Sequence, residues 1–331
     1  MRLPGTRAFH GVDTESRCLV TGVAGFIGSH LAEALIARGA QVVGVDCFTD
    51  YYARAIKERN LVGLRTSPRF RFVEASLVTA DLGRLVDGTD YVFHQAGQAG
   101  VRASWEAFTS YTENNIVATK RLLDAVQRRH LRRFVFASSS SVYGDAEELP
   151  TPETALPKPV SPYGVTKLAA EHLCLVYARN FHIPTVALRY FSVYGPRQRP
   201  DMAFHKLITA LLDGKEFSVY GDGEQTRDFT YVADAVEANL LAAAAPLGRP
   251  SAVFNIGGGS RTTLNRVIQT LEGITGKTLH RVQQPVQLGD ANDTYADSSA
   301  ARRELGFRPG WSLSDGLAAQ VRSMQEAMAV V

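Results

Sequence analysis

The chain has 331 residues, 45% hydrophobic and 21% charged, which excludes a disordered or fibrous protein and leaves room for a nucleotide-sized domain with a smaller companion. Its net charge of +3 is the small difference between 36 basic and 33 acidic residues, with no basic block long enough to track a nucleic-acid backbone. No run of about 18 apolar residues occurs and the first residues lack the apolar core of a signal peptide, so neither a membrane nor nucleic acid is an expected partner. Cys18, Cys47 and Cys174 are far apart and have neither CxxC spacing nor a histidine pattern for zinc. They are expected to be buried thiols in the cytoplasm, with no metal site.

In chain order, a short apolar run at 18–21 enters a glycine-rich turn, and apolar residues then recur at helical spacing over 26–38 until Gly39. The β-branched run at 41–46 ends on Asp46. Strand-like runs follow at 70–74, 91–95, 134–138 and 185–189, with helix-period segments between most of them. This alternation predicts an α/β fold: a Rossmann-type doubly wound parallel sheet with helices on both faces. Past Arg189 the rhythm gives way to a Gly/Pro/Arg-rich stretch, where a smaller α/β substrate-binding domain is expected. The run at 253–256, followed by Gly257, Gly258 and Gly259, is expected to return to the first domain. The predicted division is 1–190 plus about 228–257 for the dinucleotide, and 191–227 plus about 258–331 for the substrate.

Between the first strand and the first helix lies TGVAGFIG, residues 21–28. Gly22, Gly25 and Gly28 permit a tight turn and close backbone approach to a pyrophosphate, and the helix start at Phe26 and Ile27 offers free N–H groups to the anion. Asp46 closes the second strand at the distance where an acid accepts hydrogen bonds from the adenosine ribose. A carboxylate there repels a 2′-phosphate, so the expected cofactor is NAD.

Tyr163 and Lys167 stand four apart at the start of a helical segment, after Ser161 and Pro162, so both project from one face. A free tyrosine, with a pKa of about 10, is too weak an acid to be a base at neutral pH, and a nearby ammonium would stabilise its phenolate. The serines Ser138 to Ser141 end another strand at its carboxyl end, where doubly wound sheets place their ligands.

Together TGVAGFIG, SSSSVYG and SPYGVTK resemble the extended short-chain dehydrogenase/reductase superfamily over nearly the whole chain. A closer resemblance, to nucleotide-sugar 4-epimerases and among them UDP-glucuronate 4-epimerases, runs through HQAGQAGVRASW, RYFSVYGPRQRPDMAFHK, YGDGEQTRDFTYVAD and QLGDANDTYAD. It implies that Tyr163 is the base, that Lys167 holds the cofactor ribose, and that Ser139 or Ser140 hydrogen-bonds the sugar 4-hydroxyl. Gln95, Ala96 and Tyr190 join the glycine turn at the cofactor. C4 is oxidised to a ketone, the sugar turns about its diphosphate, and reduction from the other face inverts C4.

The resemblance also implies the anchor for the turning sugar. Arg227 clamps the diphosphate, Asp290 meets the uridine ribose, and Ala203, Phe204 and the strand at 217–219, with Val219, cradle the uracil. Arg102 and Ser141 complete the substrate set. Ser192 and Arg199 stand where the glucuronate epimerases hold the sugar carboxylate. Ser140 and Ser141 stand where dehydratases carry an Asp-Glu pair, and Ser141 where decarboxylases carry Glu, so simple epimerisation of UDP-glucuronate is favoured. The alternatives are a UDP-glucose/UDP-galactose 4-epimerase, a UDP-glucuronate decarboxylase and, outside enzymes, an NAD-sensing scaffold. Departures from the family are Ser76 for an Asp contacting the adenine, Phe108 for a proline and Gly97 for an alanine. Helical segments at 103–128 and 163–180 resemble the pair that builds the family's homodimer bundle.

Overall fold

A computed structural model describes residues 11–285 and 293–329. The strands are β1 (Arg17–Thr21), β2 (Gln41–Asp46), β3 (Phe70–Glu74), β4 (Tyr91–His94), β5 (Arg133–Ser139), β6 (Thr185–Tyr190), β7 (Val193–Tyr194), β8 (Glu216–Tyr220), β9 (Thr226–Asp228), β10 (Thr230–Tyr231), β11 (Ser251–Ile256), β12 (Arg261–Thr263) and β13 (His280–Gln284). The helices are α1 (Phe26–Ala37), α2 (Arg54–Arg65), α3 (Leu82–Leu85), α4 (Phe108–Tyr111), α5 (Ala118–Val126), α6 (Pro162–Phe181), α7 (Ala203–Asp213), α8 (Val232–Ala244), α9 (Leu264–Thr275), α10 (Ser299–Leu305) and α11 (Leu313–Ala329).

Seven strands form one sheet in the order β11-β6-β5-β4-β1-β2-β3, and every pair in it is parallel. A parallel sheet covered on both faces needs apolar residues pointing both ways, and the strands supply them alternately. Val20, Val42, Phe93, Val135 and Leu188 face one core with α1, α2 and α8, while Leu19, Val45, Val92, Phe134 and Ala187 face the other with α5 and α6. The chain winds outward from β1 to β3, then returns to lay β4 on the free side of β1. That reversal opens a crevice at the carboxyl ends of β1 and β4, where doubly wound sheets bind ligands. The strand expected at 253–256 is the edge strand β11, paired to β6 from Ser251↔Thr185 to Ile256↔Tyr190. Beyond the sheet the remaining strands make small two-stranded pairs, β7 with β10, β9 with β12, and β8 with β13.

Local chemistry sets the two helices that matter most. Gly25 caps α1 without a side-chain bond, and Gly39, at φ 88°, turns the chain back past its end. In α6 the Ser161 hydroxyl accepts from the Gly164 amide at 3.1 Å and Pro162 fills the first turn.

The segment expected to be helical over 103–128 is broken. A 3₁₀ turn, Arg102–Trp105, leads to α4, then to a π-helical stretch, Thr112–Val117, before α5. The cause is Asn115, whose amide is committed outside its own helix. It accepts from the Gln98 amide at 2.7 Å and donates to the Gln98 carbonyl at 3.0 Å and to the Thr166 hydroxyl at 2.9 Å. A helix widened by one residue at that point lets Asn115 reach them, a distortion often found at functional sites.

Candidate active site

The turn after β1 is shaped by its glycines. Gly22 has φ 69°, and a Cβ there would stand 2.8 Å from Ala96 Cα; a Cβ at Gly28 would stand 2.2 Å from the Gly22 carbonyl oxygen. Side chains are thus excluded where α1 begins, and its first amides face the crevice. Gly22, Gly25, Phe26, Ile27, Gly28, Asp46, Gln95, Ala96, Tyr163, Lys167 and Tyr190 all line this one cleft, together with Arg199.

Asp46 accepts from the Ala24 amide at 3.1 Å on one oxygen and from the Phe48 amide at 2.9 Å on the other. Burial raises its pKa, while those amides and the Lys57 ammonium act the other way. With the Cys47 amide as a third donor, the carboxylate still keeps acceptor capacity for a hydroxyl. Lys57, which the sequence did not single out, donates to the Thr49 carbonyl, lies 4.5 Å above the Tyr52 ring and lines the cleft beside Asp46. These donors and acceptors fit a dinucleotide: a cradle closed to side chains for the pyrophosphate and a carboxylate for the ribose.

At the departures from the family, Ser76 turns its hydroxyl to the Val78 amide at 3.2 Å. A Cβ at Gly97 would stand 2.9 Å from Asn115 Oδ1, so glycine there leaves room for the asparagine.

On α6, Tyr163 and Lys167 come together with the end of β5. Burial raises the Tyr163 pKa, and a hydrogen bond from Ser139 and the positive charge of Arg199 pull it back. Its ring meets Tyr111 edge to face, at 6.3 Å between centroids. The approach of α6 depends on Gly164, where a Cβ would stand 2.5 Å from the Ser141 carbonyl oxygen. Burial lowers the Lys167 pKa to about 8, and its ammonium lies 4.6 Å from the Phe136 ring centre.

The four serines are not equivalent. Ser138 donates to Glu171 at 2.6 Å, Ser139 faces Tyr163 and also accepts from the Ser141 amide at 3.1 Å, and Ser140 and Ser141 lie in the short 3₁₀ turn that follows. His94, beneath the site, is bonded to Thr21 at 2.7 Å and Thr119 at 2.9 Å, and burial pushes its pKa down to about 3. It is a neutral structural imidazole.

Most of the other substrate positions follow β6 in the chain, while Arg102 lies in the turn after β4 and Ser141 in the turn after β5. Among the described ones, Arg199 alone lines the cofactor cleft. Ser192 has φ 23° between β6 and β7, an uncommon conformation for a residue with a Cβ. Arg102 stacks 4.4 Å from the ring centre of Tyr220, next to Val219 on β8. Ala203 opens α7, but the Phe204 ring is buried against Tyr194 and Phe229, leaving only its backbone for a ligand. Arg227 lies on β9 and donates to the Thr226 carbonyl at 2.9 Å. Asp290 lies outside the described residues.

Comparison with known proteins agrees with this geometry. The model of the NAD dependent epimerase/dehydratase family matches residues 18–257. An uncharacterized UDP-glucose epimerase of Bacillus subtilis is 45% identical over 92% of this chain and 96% of its own. A UDP-glucuronate 4-epimerase of Thermodesulfobacterium geofontis is 34% identical over 95% of this chain and 97% of its own. The crystal structure of the UDP-glucuronic acid 4-epimerase from Bacillus cereus, in complex with UDP-glucuronic acid and NAD, superposes with a TM-score of 0.91 at 44% identity, covering 94% of this chain and 99% of that one. Matched by that family model over most of its length and by relatives 34–45% identical across more than nine-tenths of it, this chain belongs to the NAD dependent epimerase/dehydratase family.

Proposed function

We propose that the chain interconverts UDP-glucuronate and UDP-galacturonate by inverting C4. The observation that carries this reading is the convergence of Tyr163, Ser139 and Arg199, a base, its hydrogen-bond partner and a cation for a carboxylate, beside the cofactor cleft. Similarity to the Bacillus cereus enzyme supports it.

The glycine turn, Asp46 and Lys167 would hold NAD. When bound, NAD supplies the two-electron redox chemistry at C4. Ser139 orients the 4-hydroxyl, and Tyr163 takes its proton and later returns one to the oxygen of the 4-keto sugar. Lys167 adds positive charge that favours the Tyr163 phenolate. Arg227, Arg102 and the uracil cradle of Ala203, Phe204 and Val219 hold the nucleotide while the sugar turns. Ser192 and Arg199 hold the uronate, and Ser140 and Ser141 offer no acid at C5.

We propose with it the division into a dinucleotide-binding domain of 1–190 with about 228–257, and a sugar-nucleotide domain of 191–227 with about 258–331. The test is incubation of purified protein with UDP-glucuronate or UDP-glucose, followed by NMR. Galacturonate supports the reading; xylose marks a decarboxylase, turnover of UDP-glucose alone a hexose epimerase, and no reaction a scaffold. Arg199→Ala should lower kcat/KM for the uronate by about 10- to 100-fold, the worth of a charge-assisted bond of about 1.5–3 kcal/mol, and affect UDP-glucose much less. Equal loss on both sugars removes Arg199 from the carboxylate role.

A homodimer is proposed on the apolar outer face shared by α4, the π-helical stretch and α6. Phe108, Val117, Val165 and Val176 are 48, 37, 47 and 52% exposed there, an unusual row of large apolar side chains open to solvent. Sedimentation should give twice the 36.1 kDa chain mass, and Val165→Glu with Val176→Glu should halve it. Residence in the cytoplasm is consistent with three unbridged cysteines, and no helix among the described residues is long and apolar enough to cross a membrane.

A further inference from the structure

Arg199 does not stand alone in the cleft. Its Nε donates to Asp201 Oδ1 at 3.0 Å and its Nη2 to Asp201 Oδ2 at 2.9 Å, so one edge of the guanidinium is already taken. A guanidinium has five N–H groups in a rigid plane, and this side-on pairing leaves the Nη1/Nη2 edge to receive a second carboxylate end-on. Pro200 joins the two residues and fixes the backbone torsion between them.

Asp201 is itself held. The Tyr51 hydroxyl, from the loop after β2, donates to Asp201 Oδ2 at 3.3 Å across 150 residues of sequence. Tyr51 can lie there because position 100 is glycine, at φ 103°, where a Cβ would stand 2.0 Å from the Tyr51 oxygen. The Tyr111 hydroxyl fixes the same turn by donating to the Gly100 carbonyl at 2.7 Å. The loops after β2 and β7 thus meet at one carboxylate, and the turn after β4 packs against the tyrosine that joins them.

We propose that Asp201, braced by Tyr51, is a positioning residue that sets the preference for a sugar carrying a carboxylate, by locking Arg199 with its Nη edge toward the substrate. This deepens the reading of the chain as a uronate epimerase and rests on it. Freed from Asp201, the long Arg199 side chain samples many rotamers and meets the carboxylate in the right plane only part of the time. The opposite effect is physically available, because Asp201 is a negative charge close to where the substrate's carboxylate binds, and its removal relieves a repulsion. The sign of the change decides between a brace and a rival.

The experiment measures kcat and KM of Asp201→Asn and Tyr51→Phe with UDP-glucuronate and with UDP-glucose, beside the parent protein. Asp201→Asn is expected to lower the uronate-to-glucose ratio of kcat/KM by about tenfold, chiefly through KM for the uronate, and Tyr51→Phe to lower it less but in the same direction. Calorimetric titration of both sugar nucleotides into each variant in a Tyr163→Phe background reads the same loss without turnover. An unchanged ratio, an equal loss on both sugars or tighter uronate binding overturns the brace while leaving the epimerase reading intact. A parent protein inert toward UDP-glucuronate overturns both.

Discussion

Tyr163→Phe should lower epimerisation by about 10²- to 10⁴-fold, the usual contribution of a positioned general base, while leaving NAD binding and thermal stability near parental values. The substitution removes one oxygen. The ring keeps its edge-to-face contact with Tyr111, and α6 keeps its Ser161 cap and its packing through Gly164 against the serine turn. What disappears is the hydroxyl that Ser139 and Arg199 make easier to ionise against the effect of burial. The measurement is turnover by NMR, together with the absorbance of reduced nicotinamide after mixing with substrate. Parental turnover in the variant would show that another group takes the proton. Loss of bound dinucleotide would show that the hydroxyl acts in cofactor binding instead.

The parts of this site legible in the sequence are those built from neighbours. The glycine turn is eight residues long, the Tyr163-Lys167 pair is one helical turn, and the alternation of strands and helices repeats a local period, so spacing alone reports each. Asp46 was legible because a strand of known length carries it to the crevice. Side chains that meet across the fold were not. Tyr51 and Asp201 are 150 positions apart, Asn115 reaches Thr166 across 51, and Arg102 crosses from the turn after β4 to Tyr220 on β8, outside the seven-stranded sheet. No period or spacing encodes such pairs; they exist once two loops are carried to the same sheet edge. The π-helical stretch escaped for a related reason, since TENNIV carries only the weak hint of two asparagines inside a helix, and its partner Gln98 lies on a loop. The serine run shows the boundary. Its place at a strand end was legible, but which hydroxyl turns toward Tyr163 and which toward Glu171 depends on the alternation of β5 in the folded sheet.

Glu171→Ala should destabilise the cofactor-free protein by about 3–5 kcal/mol, the largest loss of stability expected from a single side chain near the site. Glu171 is on α6, one turn beyond Lys167, and Arg189 is on β6; both are almost completely buried. The guanidinium donates to Glu171 through Nη2 at 2.6 Å and Nε at 3.0 Å, and through Nη1 to the Tyr143 hydroxyl at 2.6 Å. Ser138 donates to the same carboxylate, and the Tyr143 hydroxyl donates to Asn255 Oδ1 on β11 at 2.7 Å. Removing the carboxylate leaves a guanidinium charge far from water, and a buried unpaired charge costs more than the pair ever contributed. The further replacement of Arg189 by Met should therefore recover part of the loss, whereas two independent contacts would give additive losses. Urea unfolding of the two single variants and the double variant measures this coupling. Because the network joins α6 to β5, β6 and β11, Glu171→Ala should also lower kcat on UDP-glucuronate and UDP-glucose alike, by loosening the helix that presents Tyr163. A sugar-selective effect would instead place the network among the groups that recognise the uronate.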